Sequence, residues 1–270
     1  MQQTIVHPTD FSARSDIAFA HALRIAIATK SELYLVHVAE SQYDEYDGFP
    51  HVRRALAAWG LMNENDPPAS VGKLGIKVKK IGLQARFLLR GLLRVLAEHP
   101  SHLIVLATHG RDGVANWLHG SVAEDLSRAS RLPTLFIPPD VRGFVDQNNG
   151  DVRLSRVLVP IDHSPPPASA LDTIQNFIAP MNKEGATIEL IHVGASAPVV
   201  RRINGGTIVP VALRSGDVIN TILRAADEQQ ADLIAMPTAG HQGFLDALRG
   251  STTERVLRHA PCPVLAVPTR

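Results

Sequence analysis

A single cysteine, Cys262, stands among 270 residues, and that excludes an intrachain disulfide and every paired-cysteine metal or redox motif. Its place between Pro261 and Pro263, ahead of an apolar run, predicts a buried and inert thiol. Aromatic residues are also scarce, at 5%, while Ala, Val, Ile and Leu carry most of a 45% hydrophobic content. That balance argues against an aromatic-rich β-sandwich and for helices packed on a parallel sheet. No excess of charge is present either, since 27 Lys and Arg face 26 Asp and Glu. Binding driven by counterion release needs a large basic surplus, so no nucleic-acid partner is expected. No run approaches the ~18 apolar residues of a membrane-spanning helix, so no membrane association is expected. The N-terminal MQQTIVHPTDF reaches Asp10 before any long apolar stretch, unlike a secretory signal. The expected setting is soluble, reducing and cytoplasmic.

What the chain does contain is a repeat. Ile5-Val6-His7-Pro8-Thr9-Asp10 is answered by Val157-Leu158-Val159-Pro160-Ile161-Asp162, and Leu35-Val36-His37-Val38 by Leu190-Ile191-His192-Val193. Leu103 to Thr108 matches Leu233 to Thr238, Gly120-Ser121 matches Gly250-Ser251, and Leu132-Pro133 matches Cys262-Pro263. The order is the same in both halves, as in a tandem duplication. The separation is 155 residues at His37/His192 but 130 at Pro133/Pro263, so the second copy is 25 residues shorter in between. In the first copy that interval holds His51 to Asn63, an amphipathic helical pattern. The second offers Gly194 to Gly206, rich in Gly, Pro and Ala, so it is expected to lack one crossover helix. The polar stretch Gly143–Ser155 reads as a linker between domains at 1–142 and 156–270.

Within the first copy the patterns predict strands at 4–8, 31–38, 75–82, 102–108 and 134–137. Helices are predicted at 13–28, 51–63, 84–98 and 120–131. Short apolar runs alternating with helical patterns mean βαβ units on a parallel sheet. Ile76-Lys77-Val78-Lys79 alternates apolar and Lys, as a half-exposed edge strand guarded by lysines would.

In such sheets ligands bind beyond the carboxyl ends of the strands, near the switch point of strand order. Asp10, Asp162 and the glycine loops all follow strand ends. The loops read Ala107-Thr108-His109-Gly110 to Gly120-Ser121 and Pro237-Thr238-Ala239-Gly240 to Gly250-Ser251, with nine residues between the glycines each time. Each Gly-Ser opens a helix, and a helix N-terminus with free N–H groups suits an anion. The same residues, Ser121 to Glu124 and Ser251 to Glu254, also fit a capping box that needs no ligand. Neither the P-loop nor the dinucleotide fingerprint occurs.

These residues resemble the universal stress protein family in a tandem two-domain form. His7-Pro8-Thr9-Asp10-Phe11-Ser12, the Leu35–Val38 strand and the Gly110 to Gly120-Ser121 loop carry the likeness, with their counterparts in the second copy. The resemblance implies two Rossmann-like α/β domains of the adenine nucleotide alpha hydrolase-like type. Each would be a five-stranded parallel sheet of order 3-2-1-4-5 between helices. It implies binding of an adenine nucleotide, ATP with or without Mg²⁺, and a role as a stress-response sensor or regulator. The implied first-copy site comprises Pro8, Thr9, Asp10, Val38, Ala107, Gly110, Gly120, Ser121 and Val122. Its second-copy counterpart is Asp162, Val193, Gly240, Gly250, Ser251 and Thr252. Asp10 would hold the adenosine end, Val38 would line the adenine pocket, and the Gly-Ser pair would meet the phosphates. Both copies depart from the family's first motif glycine, with Ala107 and Pro237. Alanine adds only a methyl, whereas proline deletes an N–H. The second copy in turn has Gly216-Asp217 before its third helix, set against Gly82-Leu83 in the first.

No lysine or paired acids are placed to hold Mg²⁺ and orient a water, so any hydrolysis should be slow and no catalytic residue is assigned. The twelve histidines show no HExxH spacing, so no protein-held metal is expected. His37 and His192 read as satisfied core or rim residues, and Ser12 and Ser164 as helix caps. A non-binding interaction module, whose Gly-Ser pairs serve only as caps, stands as the alternative. A homodimer of the tandem chain is compatible with either reading.

Overall fold

The computed structural model describes residues 3–39, 48–108, 120–138, 141–182, 184–201, 208–238 and 252–269. The chain forms two compact units, one of Met1–Pro139 with Val145–Val152, the other of Asp140–Phe144 with Arg153–Arg270.

The first unit runs β1 (Thr4–Pro8), α1 (Ala13–Thr29), β2 (Glu32–Ala39), α2 (Val52–Ala58), β3 (Lys77–Gln84), α3 (Leu88–Glu98), β4 (Leu103–Ala107), α4 (Gly120–Ser130) and β5 (Thr134–Ile137). Its sheet has the order β3-β2-β1-β4-β5, with every pairing parallel. β1 and β4 are buried along their whole length, as strands in the middle of a two-faced parallel sheet must be. α1 lays Ala18, Ala22, Leu23 and Ala26 into the core, and its small residues allow a close approach to the strands. Ser12 caps it by accepting from Ser15 N, as anticipated.

β3 is the sheet's edge, and its lysines are occupied as edge guards. Lys77 and Lys79 reach Glu32 at 3.6 and 4.0 Å, and Lys79 Nζ donates to Tyr34 OH at 2.9 Å. The strand begins two residues later than its pattern suggests, and α3 begins at Leu88 rather than 84. α2 is shorter than 51–63, because Gly60 takes a positive φ of 68° and breaks the helix. An unanticipated 3-10 helix, Pro68–Leu74, follows it.

Residues 145–152, from the segment read as a linker, pack with the first unit. Val145 N donates to His21 Nε2 at 3.2 Å, and Trp59 Nε1 donates to Gln147 O at 2.9 Å. Gly150, at φ 72°, lies under the Trp59 indole so closely that a Cβ there would stand 2.5 Å from Cδ2. His21 is buried and neutral, its pKa lowered to about 4 chiefly by desolvation, against a raising bond to Ile17 O.

The second unit runs β6 (Arg156–Pro160), α5 (Ala168–Ile178), β7 (Thr187–Val193), β8 (Val200–Arg201), β9 (Ile208–Val209), β10 (Val211–Arg214), α6 (Val218–Glu228), β11 (Leu233–Thr238), α7 (Thr252–Leu257) and β12 (Val264–Pro268). Its parallel order, β10-β7-β6-β11-β12, is again 3-2-1-4-5 when counted within the unit. Between β7 and β10 the described residues form a two-stranded antiparallel ribbon of β8 and β9 where the first unit has α2. This is the shortening that the repeat spacing implied.

Two sequence expectations need correction. Ser164 does not cap α5, whose cap position is Pro167, without a side-chain bond. Three consecutive prolines, Pro165–Pro167, separate the serine from the helix. Gly216-Asp217 also corresponds to a different pair. Asp217 caps α6 by accepting from Asn220 N, and its counterpart is Phe87 at the cap of α3, whereas Gly82-Leu83 lie within β3. Cys262 is buried as expected, and burial first, then Asp232, push its thiol pKa up to about 12. Among the described residues, no helix is long and apolar enough to cross a membrane, and no group of three or more His, Cys, Asp or Glu could hold a metal.

Candidate functional site

The order of the first sheet reverses between β1 and β4, and there the ladder is short, since Pro8 has no N–H to continue it. Their ladder has only two steps, Ile5↔Leu103 and Val6↔Ile104. Beyond it a side chain replaces the main chain, with His7 Nδ1 2.9 Å from Val105 O. A carbonyl only accepts, so Nδ1 carries the proton. Full burial lowers the His7 pKa to about 4, outweighing the Val105 bond and the Asp10 charge, so the ring is neutral. Its Nε2 lies 3.4 Å from Ser15 Oγ. The alternation of a parallel ladder then orients β4. Ile104 N bonds Pro133 O and Thr108 N bonds Ile137 O, toward β5. Val105 and Ala107 therefore face the other way, and the Ala107 N–H points toward β1.

The turn after β1 is built of short polar side chains. Thr9 is buried, its N–H bonds Val36 O, and its Oγ1 accepts from Phe11 N and Ser15 Oγ. Asp10 Oδ1 accepts from Ser12 N at 3.0 Å and from Ser12 Oγ at 2.6 Å. His37 Nδ1 donates to Thr9 O at 2.8 Å, which makes His37 the satisfied rim residue expected. Asp16 sits one turn along, its pKa raised by partial burial and then by the Asp10 carboxylate. The register His7↔Leu35, Pro8↔Val36 puts His37 on the His7 face and Val38 on the opposite one. There Val38 is buried against Gly91 of α3.

Pro8, Thr9, Asp10, Val38 and Ala107 thus meet at the carboxyl ends of β1, β2 and β4. Gly120, Ser121 and Val122 form the first turn of α4. Gly110 lies outside the described residues, as do Gly240, Gly250 and Ser251, and Thr252 is the first residue of α7. His109, His119 and His241 also lie outside them.

The second unit repeats the two-step ladder, Val157↔Leu233 and Leu158↔Ile234, but differs in the side chains around it. Val159 stands in the place of His7, so no imidazole spans from β6 to β11. Ile234 N bonds Pro263 O toward β12, so position 237 faces β6, and there Pro237 has no N–H to offer. Asp162 is 69% exposed, and its Oδ1 accepts from its own neighbour, His163 N, at 2.7 Å. His192 Nδ1 donates to Ile161 O at 3.0 Å, the bond that His37 makes in the first unit. Val193 is only half-buried.

Sequence reasoning missed His7, Phe11 and Phe49. The Phe11 ring stacks on His37 at 4.1 Å with 21° between planes, and meets Phe49 edge-on at 5.3 Å. The contrast of His7 with Val159 between two otherwise matching words was a usable signal. Phe49 comes from outside every motif, so nothing in the pattern marked it.

The sequence profile of the universal stress protein family matches residues 1–138 and 199–268. The chain belongs to that family. Universal stress protein Rv2319c of Mycobacterium tuberculosis is 24% identical over 285 residues, spanning 92% of this chain and 93% of its own length. Universal stress protein MJ0531 of Methanocaldococcus jannaschii is 40% identical over 62 residues, which are 23% of this chain and 36% of that relative. Among solved structures, a universal stress protein from Archaeoglobus fulgidus superposes with a TM-score of 0.62 at 21% identity, covering 98% of this chain and 96% of its own. PA1789 of Pseudomonas aeruginosa, a protein of unknown function, gives 0.64 at 16%, covering 99% and 92%. These structural likenesses establish the tandem universal stress protein fold.

Proposed function

We propose that the first unit binds ATP across the carboxyl ends of β1, β2 and β4, and that the chain works as a stress-response sensor or regulator. The observation that carries this reading is the strand edge at the end of the short β1–β4 ladder. The ladder stops after two steps there, as it also does between β6 and β11, but the residue turned toward β1 is Ala107, which has an N–H, where the second unit has Pro237. Asp10 would bind the ribose, Val38 would wall the base, and the turn from Gly120 to Val122 would meet phosphate oxygens. A helix N-terminus presents unsatisfied N–H groups and a positive dipole end, which is the chemistry a triphosphate needs. If Mg²⁺ accompanies ATP, it would neutralise phosphate charge. The second unit reads as a scaffold or interaction module instead, because Pro237 lacks the N–H that Ala107 has and the Asp162 carboxylate is mostly exposed, 3.7 Å from His192 Nδ1.

Equilibrium dialysis of the full chain against ATP tests the proposal. Saturable uptake is expected, and Asp10→Ala should weaken it at least tenfold while Asp162→Ala leaves it unchanged. Absence of saturable uptake by the wild-type chain would overturn the reading.

A further inference from the structure

Four described non-glycine residues have positive φ: Phe11, Lys30, Arg131 and Gln230. Three of them end helices. Lys30 is the C-cap of α1, Arg131 follows α4, and Gln230 follows the cap of α6, where left-handed backbone is ordinary. Phe11 follows a strand instead and adopts φ 62°, which a bulky residue resists. Such an outlier persists only when its surroundings over-determine it.

Those surroundings are its ring contacts, beside the bond from its N–H to Thr9 Oγ1 at 3.1 Å. The Phe11 ring lies flat on His37, itself held by Thr9 O, and takes the edge of Phe49. The fit is close enough that a Cβ on Gly48 would stand 2.8 Å from the ring. The reversal at Phe11 brings Ser12 back onto Asp10, so that both the Ser12 N–H and hydroxyl donate to Oδ1. The second unit supplies a natural comparison. His163 stands where Phe11 does, outside the positive-φ set, with its ring edge-on to His192 at 5.1 Å and its Nε2 2.9 Å from Ser196 O. Asp162 is then 69% exposed and has lost the serine pair.

We infer that Phe11 is a positioning residue: its ring, clamped between His37 and Phe49, holds the left-handed turn that aims the Asp10 carboxylate at the strand ends. The residue after the aspartate, rather than the aspartate, separates a binding turn from a solvent-facing one. This rests on the ATP reading only where affinity is the readout.

The test uses the full chain with Phe11→His, Phe11→Gly, Asp10→Asn and Phe11→His/Asp10→Asn. The first readout needs no nucleotide. Exchange of the Ser12 amide, followed by NMR, should quicken at least tenfold in Phe11→His, with the amides of β4 unchanged as evidence of folding. The second readout is ATP affinity. Phe11→His should weaken it at least tenfold, and Asp10→Asn should add less than twofold on that background, because the carboxylate is already misplaced. A merely structural role for Phe11 would make the two losses multiply. Phe11→Gly accommodates the backbone but removes the ring, so it should behave like Phe11→His. Wild-type Ser12 exchange and ATP affinity in Phe11→Gly would overturn the inference, as would multiplying losses. A wild-type chain without ATP binding, but with quickened Ser12 exchange in Phe11→His, would sink the ATP reading alone and leave the positioning role standing.

Discussion

Two units of one fold stand in this chain, and they differ most where their sheets open. In the first, a buried neutral imidazole, His7, reaches from β1 to Val105 O, and Ala107 keeps an N–H toward β1. In the second, Val159 and Pro237 occupy those positions. The units differ again in the β2-to-β3 crossover. The first spends α2 and Trp59 on seating residues 145–152, and the second replaces the helix with a short ribbon. A duplicated fold can therefore keep its strand order while its two openings and crossovers take separate tasks. The core is set by the apolar strands, which both halves retain. The binding edge depends on a handful of positions that packing leaves open to change.

The largest effect should come from the Trp59 seat. Trp59→Ala removes a nearly buried indole and its bond to Gln147 O, and should cost about 3–5 kcal/mol of first-unit stability. Urea unfolding followed by hydrogen exchange would localise the loss. An equal loss in both units would break the comparison.

Acid should then separate the two units. His7 and His21 have folded pKa values lowered to about 4 from an ordinary 6.5. Between those values the unfolded chain carries protons that the folded one excludes. Stability is whole above pH 6.5 and falls as the pH drops toward 4, by on the order of 3 kcal/mol per ring at most. Urea midpoints at pH 7.5 and 5 should show the first unit weakening, and His7→Val, which copies Val159, should remove part of the slope. A flat profile for the first unit would contradict the assignment.

Exchanging the strand residues sharpens the functional contrast. Ala107→Pro should reduce ATP affinity at least tenfold, about 1.4 kcal/mol, because the proline deletes the N–H facing β1. Unchanged affinity in dialysis would remove that N–H from the account. The smallest change is at α3 and its counterpart α6. Asp217→Ala should destabilise α6 by about 1 kcal/mol, and Phe87→Asp should stabilise α3 by about as much, since only α6 has a side-chain cap. Thermal midpoints moving in opposite directions would bear this out.

Much of the architecture is legible in the sequence. Repeated words at strand ends located both sheets, and the shift in their spacing marked the lost helix, because deletions between conserved-order strands fall in crossovers. Strand periodicity could not mark where β3 ends and α3 begins, since the change depends on register with β2. Of the candidate site, Asp10, Val38 and Ala107 could be placed at neighbouring strand ends from the sequence pattern. His7 and Phe11 escaped because their roles come from contacts with Val105, His37 and Phe49, residues distant in sequence. Ser164 misled for the opposite reason: a capping residue type was present, but three prolines moved the helix start beyond its reach.

The central claim is that one unit binds nucleotide and the other does not. It is tested most directly by the number of ATP molecules bound per chain at saturation, measured by equilibrium dialysis on the wild type and on Gly120→Val. The account predicts close to one for the wild type and close to none for the variant. Two per chain, or one that survives Gly120→Val, would contradict it.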